Sequence, residues 1–424
     1  MKILITGTTG DSMPPPYGGI PKASLLYGRA WKKMGNEVAI TFVCKPENAD
    51  DFGANAEYFF EYKNKPNKFK KLLFLIKYFF KNPFLYFYLF TNYFKIYPKF
   101  FLETVLYSAY GVYMDGVITS FKPDIILSQT ALIKTYMVAN IANKYRIPLV
   151  IDTYAEVHDQ AMGVNKHLSE SEQRKYWTEF LNKADLVLGI SNCTKGAQKY
   201  LPNSKVKEFY DTCDFTLART EIPETKVEIR EYFRISKTSF VIGSVGAFEF
   251  RKGHDHFIRA VSMLVKKGYD IAGAICGGSG DKTKWEVLAK DEGVSDRIYF
   301  FSRLSEIDLV KFHRSNDAYC NLSNSPRSCG LDLALLEAMA SALPIVVYDN
   351  GALSTAVQND RNGYVVKTDD IEGVSKAFEN LYKRSDIERA EMGQISKTIA
   401  EKCDINLTAE IKLNWFKELV KNYK

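Results

Sequence analysis

Short apolar runs that end in glycine- or cation-bearing loops, and then pass into amphipathic helices, recur along the whole chain. Lys2–Thr6 (KILIT) reads as a buried strand, residues 7–19 as a loop rich in glycine and proline, Ile20–Met34 as a helix and Glu37–Val43 as a second strand. That order is a βαβ unit, which implies a parallel sheet with helices on its faces. After Pro123 the alternation resumes, with strands at Asp124–Ser128, Pro148–Asp152 and Asp185–Ile190 and helices at Ala131–Tyr145 and from Asn192; Val206–Tyr210 reads as the exit from the domain. A second series follows, with strands at Phe240–Val245, Ile271–Cys276, Ile298–Ser302, Ala318–Leu322, Ile345–Tyr348 and Gly363–Val366. The expected fold class is therefore α/β, with two Rossmann-like βαβ domains.

Size agrees, because 424 residues are too many for one ordinary domain and suit two of roughly 200. The expected boundaries are 1–213 and 214–405, with 406–424 as a terminal amphipathic helix that packs back on the first domain. A hydrophobic fraction of 46% beside 25% charged residues describes a soluble globular protein, and a net charge of +7 favours anionic partners without naming one. The seven cysteines are scattered and form no CxxC pair, which fits a reducing compartment rather than a disulfide or zinc framework. Met1 leads straight into a strand and a glycine loop, so no signal peptide is expected. No uncharged apolar run reaches the roughly 18 residues of a membrane span. The expected location is cytoplasmic.

Residues 63–101 differ from everything else: many lysines, dense Phe, Tyr and Leu, and no acidic residue. One reading lays this stretch in the interface of an anionic membrane on its inner face, rings at headgroup depth and lysines against lipid. The other makes it a pair of core helices with snorkelling lysines. Pro83 and the interspersed lysines argue against spanning. Basic-aromatic interleaving also suits single-stranded nucleic acid, but no nucleic-acid module occurs elsewhere, and no such partner is expected.

Several loops carry chemistry. Gly18 and Gly19 at a helix start expose backbone N–H groups to which a phosphate can bind, or simply make a flexible turn. His158 lies in a polar loop (Thr153 to Asp159) at the carboxyl end of a strand, the edge at which open α/β sheets bind ligands; a structural histidine is the equal alternative. Arg251, Lys252 and Gly253 open a helix at His254 and read as an anion site, by charge and by backbone donors, or as a solvated basic turn. Gly277-Gly-Ser-Gly280 is another close-approach loop after a strand. His254 and His256 have no third ligand nearby, so no metal site is expected. In Asn321–Asp349 (NLSNSPRSCGLDLALLEAMASALPIVVYD), a loop leads into a helix and a buried strand, and one carboxylate, Glu337, sits in an otherwise apolar helix. It is either an incidental surface charge or a group with a partner. Phosphate-ready loops on two βα domains suggest a ligand held in a cleft between them.

At these residues the chain resembles the retaining GT-B glycosyltransferases, in particular family 4, also called glycosyl transferases group 1. Gly246–Gly253 with its following helix looks like that family's G-R-x-x-x-(R)-K-G loop, and Cys329–Ala340 (CGLDLALLEAMA) matches the E-x7-E segment EGLPLVLLEAMA without gaps. The resemblance implies a GT-B fold, two Rossmann-like domains facing each other across a cleft, and a UDP- or GDP-sugar donor with no metal or other cofactor. Glu337 would accept two hydrogen bonds from the ribose diol. Lys252 would neutralise the donor diphosphate as the glycosidic bond breaks. Backbone N–H groups near Gly330 and Leu331 would meet the same diphosphate, Gly18 and Gly19 would approach it from the first domain, and His158 would sit by the transferred sugar.

Two positions depart from the pattern. The first Glu of E-x7-E falls on Cys329, and the loop Arg falls on Ala247; Arg251 or Arg327 would substitute for the lost charge. The expected function is transfer of a hexosyl unit to a lipid-linked or surface-polysaccharide glycan precursor. Two alternatives stand beside it: a catalytically weakened relative that binds a nucleotide sugar or a partner, and a sugar-nucleotide epimerase.

Overall fold

Twelve parallel strands among the described residues form two six-stranded sheets. The computed structural model describes residues 1–7, 19–41, 68–157, 163–190, 192–209, 211–278, 280–324 and 331–423. Met1–Phe209 together with Asn406–Lys424 make one unit, and Tyr210–Ile405 make the other.

The first sheet contains β1 (Lys2–Thr6), β2 (Glu37–Ile40), β3 (Ile125–Ser128), β4 (Leu149–Thr153), β5 (Leu186–Gly189) and β6 (Val206–Glu208), in the order β2-β1-β3-β4-β5-β6. Val206–Tyr210, expected as a domain exit, supplies β6 at the sheet's edge through Val187↔Val206 pairing. A three-residue strand with one buried apolar side chain has too little alternation to be recognised by periodicity. The second sheet contains β7 (Phe240–Val245), β8 (Ile271–Cys276), β9 (Ile298–Phe301), β10 (Ala318–Asn321), β11 (Ile345–Tyr348) and β12 (Gly363–Val366), in the order β12-β11-β10-β7-β8-β9. Its strands are buried on both faces. Ile242, Cys320 and Val346 pack into one apolar cluster, while their neighbours Tyr319, Ile345 and Val347 pack into another. Continuous apolar strands covered by helices on both sides are the usual state of a parallel sheet.

Strand order reverses between β1 and β3 in the first unit and between β7 and β10 in the second. At such a switch point the connections leave in opposite directions, opening a crevice at the carboxyl ends of the strands.

Residues 63–101 resolve into two helices where they are described, Lys68–Lys81 and Pro83–Ile96. Asn82 caps the second by accepting from the Leu85 N–H at 3.0 Å, and Pro83 at its first position has no N–H to waste. Their inner face fills the first core: Tyr86 donates to the Val105 carbonyl, and the Tyr93 ring lies 5.2 Å from that of Tyr136. The core-helix reading therefore holds for one face only; Phe69, Phe80 and Phe84 stand exposed on the other.

The helix Ile405–Tyr423 packs on the first unit. Trp31 Nε1 donates to the Ala409 carbonyl at 2.8 Å, and the Trp31 and Phe416 rings are 5.2 Å apart. Lys412 reaches the fully buried Asp152 of β4 at 2.8 Å, between the rings of Tyr27 and Phe209.

Candidate functional site

The switch point of the second sheet holds a cation and its counter-ion. β7 ends at Val245, and the chain then makes a short 3-10 turn, Phe250–Lys252, before the helix His254–Lys266. Gly253 joins turn and helix at φ 68°, and a Cβ there would lie 2.3 Å from the Leu322 carbonyl oxygen just after β10. Only glycine allows both the left-handed conformation and this contact. The Lys252 stem lies against Gly246 and its ammonium donates to Asp332 Oδ2 at 2.7 Å. Asn321, the last residue of β10, donates to the same oxygen at 2.9 Å. Burial works against the charged form of Asp332, but Lys252 and Asn321 outweigh it and hold the carboxyl below its usual range. The ammonium has three N–H donors, and Asp332 takes one of them.

Around this pair the loop is built for rigidity. His254 is buried with Nε2 3.1 Å from the Ala247 carbonyl, and burial pushes its pKa down to about 4 despite that bond. A neutral histidine thus fastens the loop. The glycines after β8 serve packing more than ligand approach. A Cβ on Gly277 would strike the Phe248 ring, and one on Gly280 would strike the Phe248 carbonyl. The close-approach loop expected at Gly277–Gly280 is thus approached by Phe248 of this same chain.

The helix after β10 is Leu333–Ala340. Glu337 is half-buried in it, and its charge is felt at Cys276, the last residue of β8, and at Tyr319 of β10. Burial, with smaller help from Glu337, raises the Cys276 thiol to about 12, so it is inert as a nucleophile. Leu331 is buried in the apolar cluster that holds Leu335 and Phe215. Arg251 is exposed and paired with Glu249, so its charge is partly compensated at the surface. Gly19 is the first residue of the helix Gly19–Lys33 and is exposed. Gly18, His158, Arg327, Cys329 and Gly330 lie outside the described residues.

Sequence reasoning passed over Asp332 and Asn321. A signal was present: Asp332 stands where the compared pattern EGLPLVLLEAMA has proline. His256 Nδ1 lies 2.8 Å from the Tyr348 hydroxyl, whereas His254 turns to Ala247. Among the described residues no group of three His, Cys, Asp or Glu could hold a metal ion.

Two parallel βα sheets, with a cation at the switch point of the second, form an α/β architecture of the kind that binds ligands at the carboxyl ends of its strands. Comparison with known proteins sharpens this. The crystal structure of Anabaena HepE in complex with UDP and glucose superposes with a TM-score of 0.71 over 99% of this chain and 100% of that one, at 16% identity. The fold is GT-B. Residues 225–398, within the second unit, match the family model for glycosyl transferases group 1. A GDP-mannose-dependent phosphatidylinositol monomannoside mannosyltransferase of Mycolicibacterium smegmatis is 26% identical over 207 residues, 47% of this chain and 53% of the relative. The lipopolysaccharide core mannosyltransferase LpsB of Rhizobium meliloti is 26% identical over 219 residues, 49% of this chain and 59% of the relative. The matches thus span little more than half the length of these relatives.

Proposed function

We propose that the protein is a retaining glycosyltransferase that moves a hexosyl unit from a UDP- or GDP-sugar to a lipid-linked or surface-polysaccharide precursor in the cytoplasm. The observation that carries this reading is the Lys252 ammonium at the β7/β10 switch point, held by Asp332, which Asn321 also binds, and with no second acceptor among the described residues. As the bond between the sugar and the diphosphate breaks, negative charge grows on the leaving oxygen. A fixed ammonium in a partly dry site stabilises that charge more than it stabilises the intact donor. Glu337 takes the ribose hydroxyls, and the backbone at Gly330 and Leu331 meets the diphosphate. A role for Gly18 and Gly19 at the diphosphate and for His158 at the sugar belongs to the same proposal, and Arg251 or Arg327 adds positive charge. Protein cations carry the work that a metal does elsewhere. HepE, a structural neighbour, was crystallised with UDP and glucose, and the M. smegmatis relative uses GDP-mannose and acts on a phosphatidylinositol glycolipid; both support the substrate class.

Thermal melts with UDP, GDP and their sugars test the donor, because a ligand bound only to the folded state raises the transition. One nucleotide family should raise it and the others should not; no shift with any of them rejects the reading. A second reading has its own support. Asp332 already compensates Lys252, and Cys329 and Ala247 depart from the family pattern, which fits a relative that binds a donor without transferring it. Nucleotide release from the donor separates the two: slow release without acceptor marks an enzyme, and binding without release marks the other. Product formed without any acceptor marks an epimerase.

A further inference from the structure

The outer face of the helices Lys68–Lys81 and Pro83–Ile96 is apolar where a protein surface is ordinarily polar. In the first helix the exposed apolar residues are Phe69, Leu72, Leu73, Ile76 and Phe80, spaced three and four apart along one side. In the second, Phe84, Phe87 and Tyr88 begin the same kind of stripe. Phe84 and Phe80 are 88% and 74% exposed, an arrangement that costs free energy in water. The stripes join: the Phe79 ring touches Phe80 and Phe87 at 5.2 and 5.7 Å. Phe101 and Leu102, exposed at the start of the next helix, extend the patch through ring contacts of Phe101 with Phe90 and Phe94. The opposite sides, with Tyr78, Leu85, Leu89 and Tyr93, are buried in the first unit's core. Both faces being apolar, the outer one is not a by-product of amphipathic packing. Contiguous exposed patches of this kind mark interaction surfaces.

Charge selects the partner. Between residues 68 and 102 there are seven lysines and no acidic residue. Lys77 and Lys81 hold their ammonium groups 5.3 and 5.6 Å from the Tyr78 ring, at the flank of the first stripe, and Lys95 continues the second. Lys99 is paired with Glu172, but exposed aromatic side chains flanked by the ammonium groups of Lys77, Lys81 and Lys95, in a stretch without acidic residues, fit a lipid surface bearing negative headgroups. Among the described residues no helix is long and apolar enough to cross a membrane. We infer that this two-helix face docks on an anionic lipid surface, lying along it with Phe80, Phe84 and Phe87 inserted among the acyl chains. The inference deepens the lipid-linked acceptor reading, and its test uses neither donor nor acceptor, so either can fail alone.

The test is co-sedimentation of the full chain with phosphatidylcholine vesicles and with mixed phosphatidylcholine–phosphatidylglycerol vesicles, at low and high salt. The unaltered protein should bind the mixed vesicles at least about tenfold more tightly than the neutral ones, and high salt should remove most of that advantage. The triple variant Phe80→Ser, Phe84→Ser, Phe87→Ser should lose about tenfold or more on the mixed vesicles with its melting transition unchanged, since all three rings are exposed. Lys71→Glu, Lys77→Glu, Lys81→Glu should abolish the preference for the anionic vesicles. Failure of the unaltered protein to bind mixed vesicles at low salt overturns the inference, and so does undiminished binding by the phenylalanine variant. Concentration-dependent self-association that the phenylalanine variant abolishes, without vesicle binding, would make the face a protein–protein surface and overturn it as well.

Discussion

Each unit places a lysine against an aspartate at the carboxyl end of its sheet, and the two pairs are built for different work. Lys412 and Asp152 in the first unit are 1% and 0% exposed, and their ammonium and carboxylate are 2.8 Å apart. Lys252 and Asp332 in the second are 2.7 Å apart but 15% and 31% exposed. In the first pair burial dominates and raises the Asp152 carboxyl, with Lys412 only partly opposing it. In the second burial is again the largest single influence, but Lys252 and Asn321 together outweigh it and lower Asp332. The difference is solvent access. A closed pair, joined at Asp152 by the Gln129 amide, staples the C-terminal helix to β4 away from solvent. An open pair keeps an ammonium in place with donors to spare, which is what an incoming anion needs.

Four measurements can break or sharpen this contrast. Lys412→Ala should be the most damaging, costing about 3–5 kcal/mol in denaturant unfolding, because it strands a buried carboxylate. Pairing Lys412→Met with Asp152→Asn should recover most of the loss; a cost near that of a surface pair would end the staple reading. Lys252→Ala should behave in the opposite way. Turnover should fall by about 10²–10³ while unfolding shifts by less than about 1 kcal/mol, as for other solvent-accessible pairs. Wild-type turnover in that variant would remove Lys252 from the chemistry.

The third measurement concerns His254. Its pKa is depressed from 6.5 to about 4, so the unfolded chain binds the extra proton first as pH falls. Stability should drop by about 3 kcal/mol between those values, and His254→Gln should flatten that part of the pH profile. An unchanged slope would show that another group titrates there. The smallest effect belongs to Asp332→Asn, about 1 kcal/mol or less at neutral pH given its partial exposure. A lowered carboxyl pKa stabilises above its ordinary 3.8 and loses that contribution as pH falls through the folded value. The variant should therefore differ from wild type at neutral pH and converge with it in strong acid. Divergence in acid would contradict the pairing.

Much of the fold was legible because period-2 and period-3.6 patterns are local. Lys2–Thr6, Phe240–Val245, Ile271–Cys276 and Gly363–Val366 form strands with the bounds expected from their apolar runs. The short β6 was missed because three residues hold too little pattern. Lys252 was legible as a cation at a helix start. Asp332 was not, since its partner is 80 positions away and no spacing rule links them. The 63–101 stretch was legible only as a composition. The core-helix reading holds for one face and the other face is exposed, and composition alone cannot say which side of a helix meets the core.

By itself, then, the sequence determined the α/β class, the succession of strands and loops, and the residue types available at each loop, because those depend on neighbours along the chain. Tertiary structure alone decided that Asn321 and Asp332 converge on Lys252 and that Lys412 closes on Asp152. It also decided that one aromatic face of the 63–101 helices is buried and the other exposed. Such facts depend on which strands lie side by side. Once β7 and β10 became neighbours, groups remote in sequence shared one low-dielectric crevice, and only there do their charges act on each other strongly.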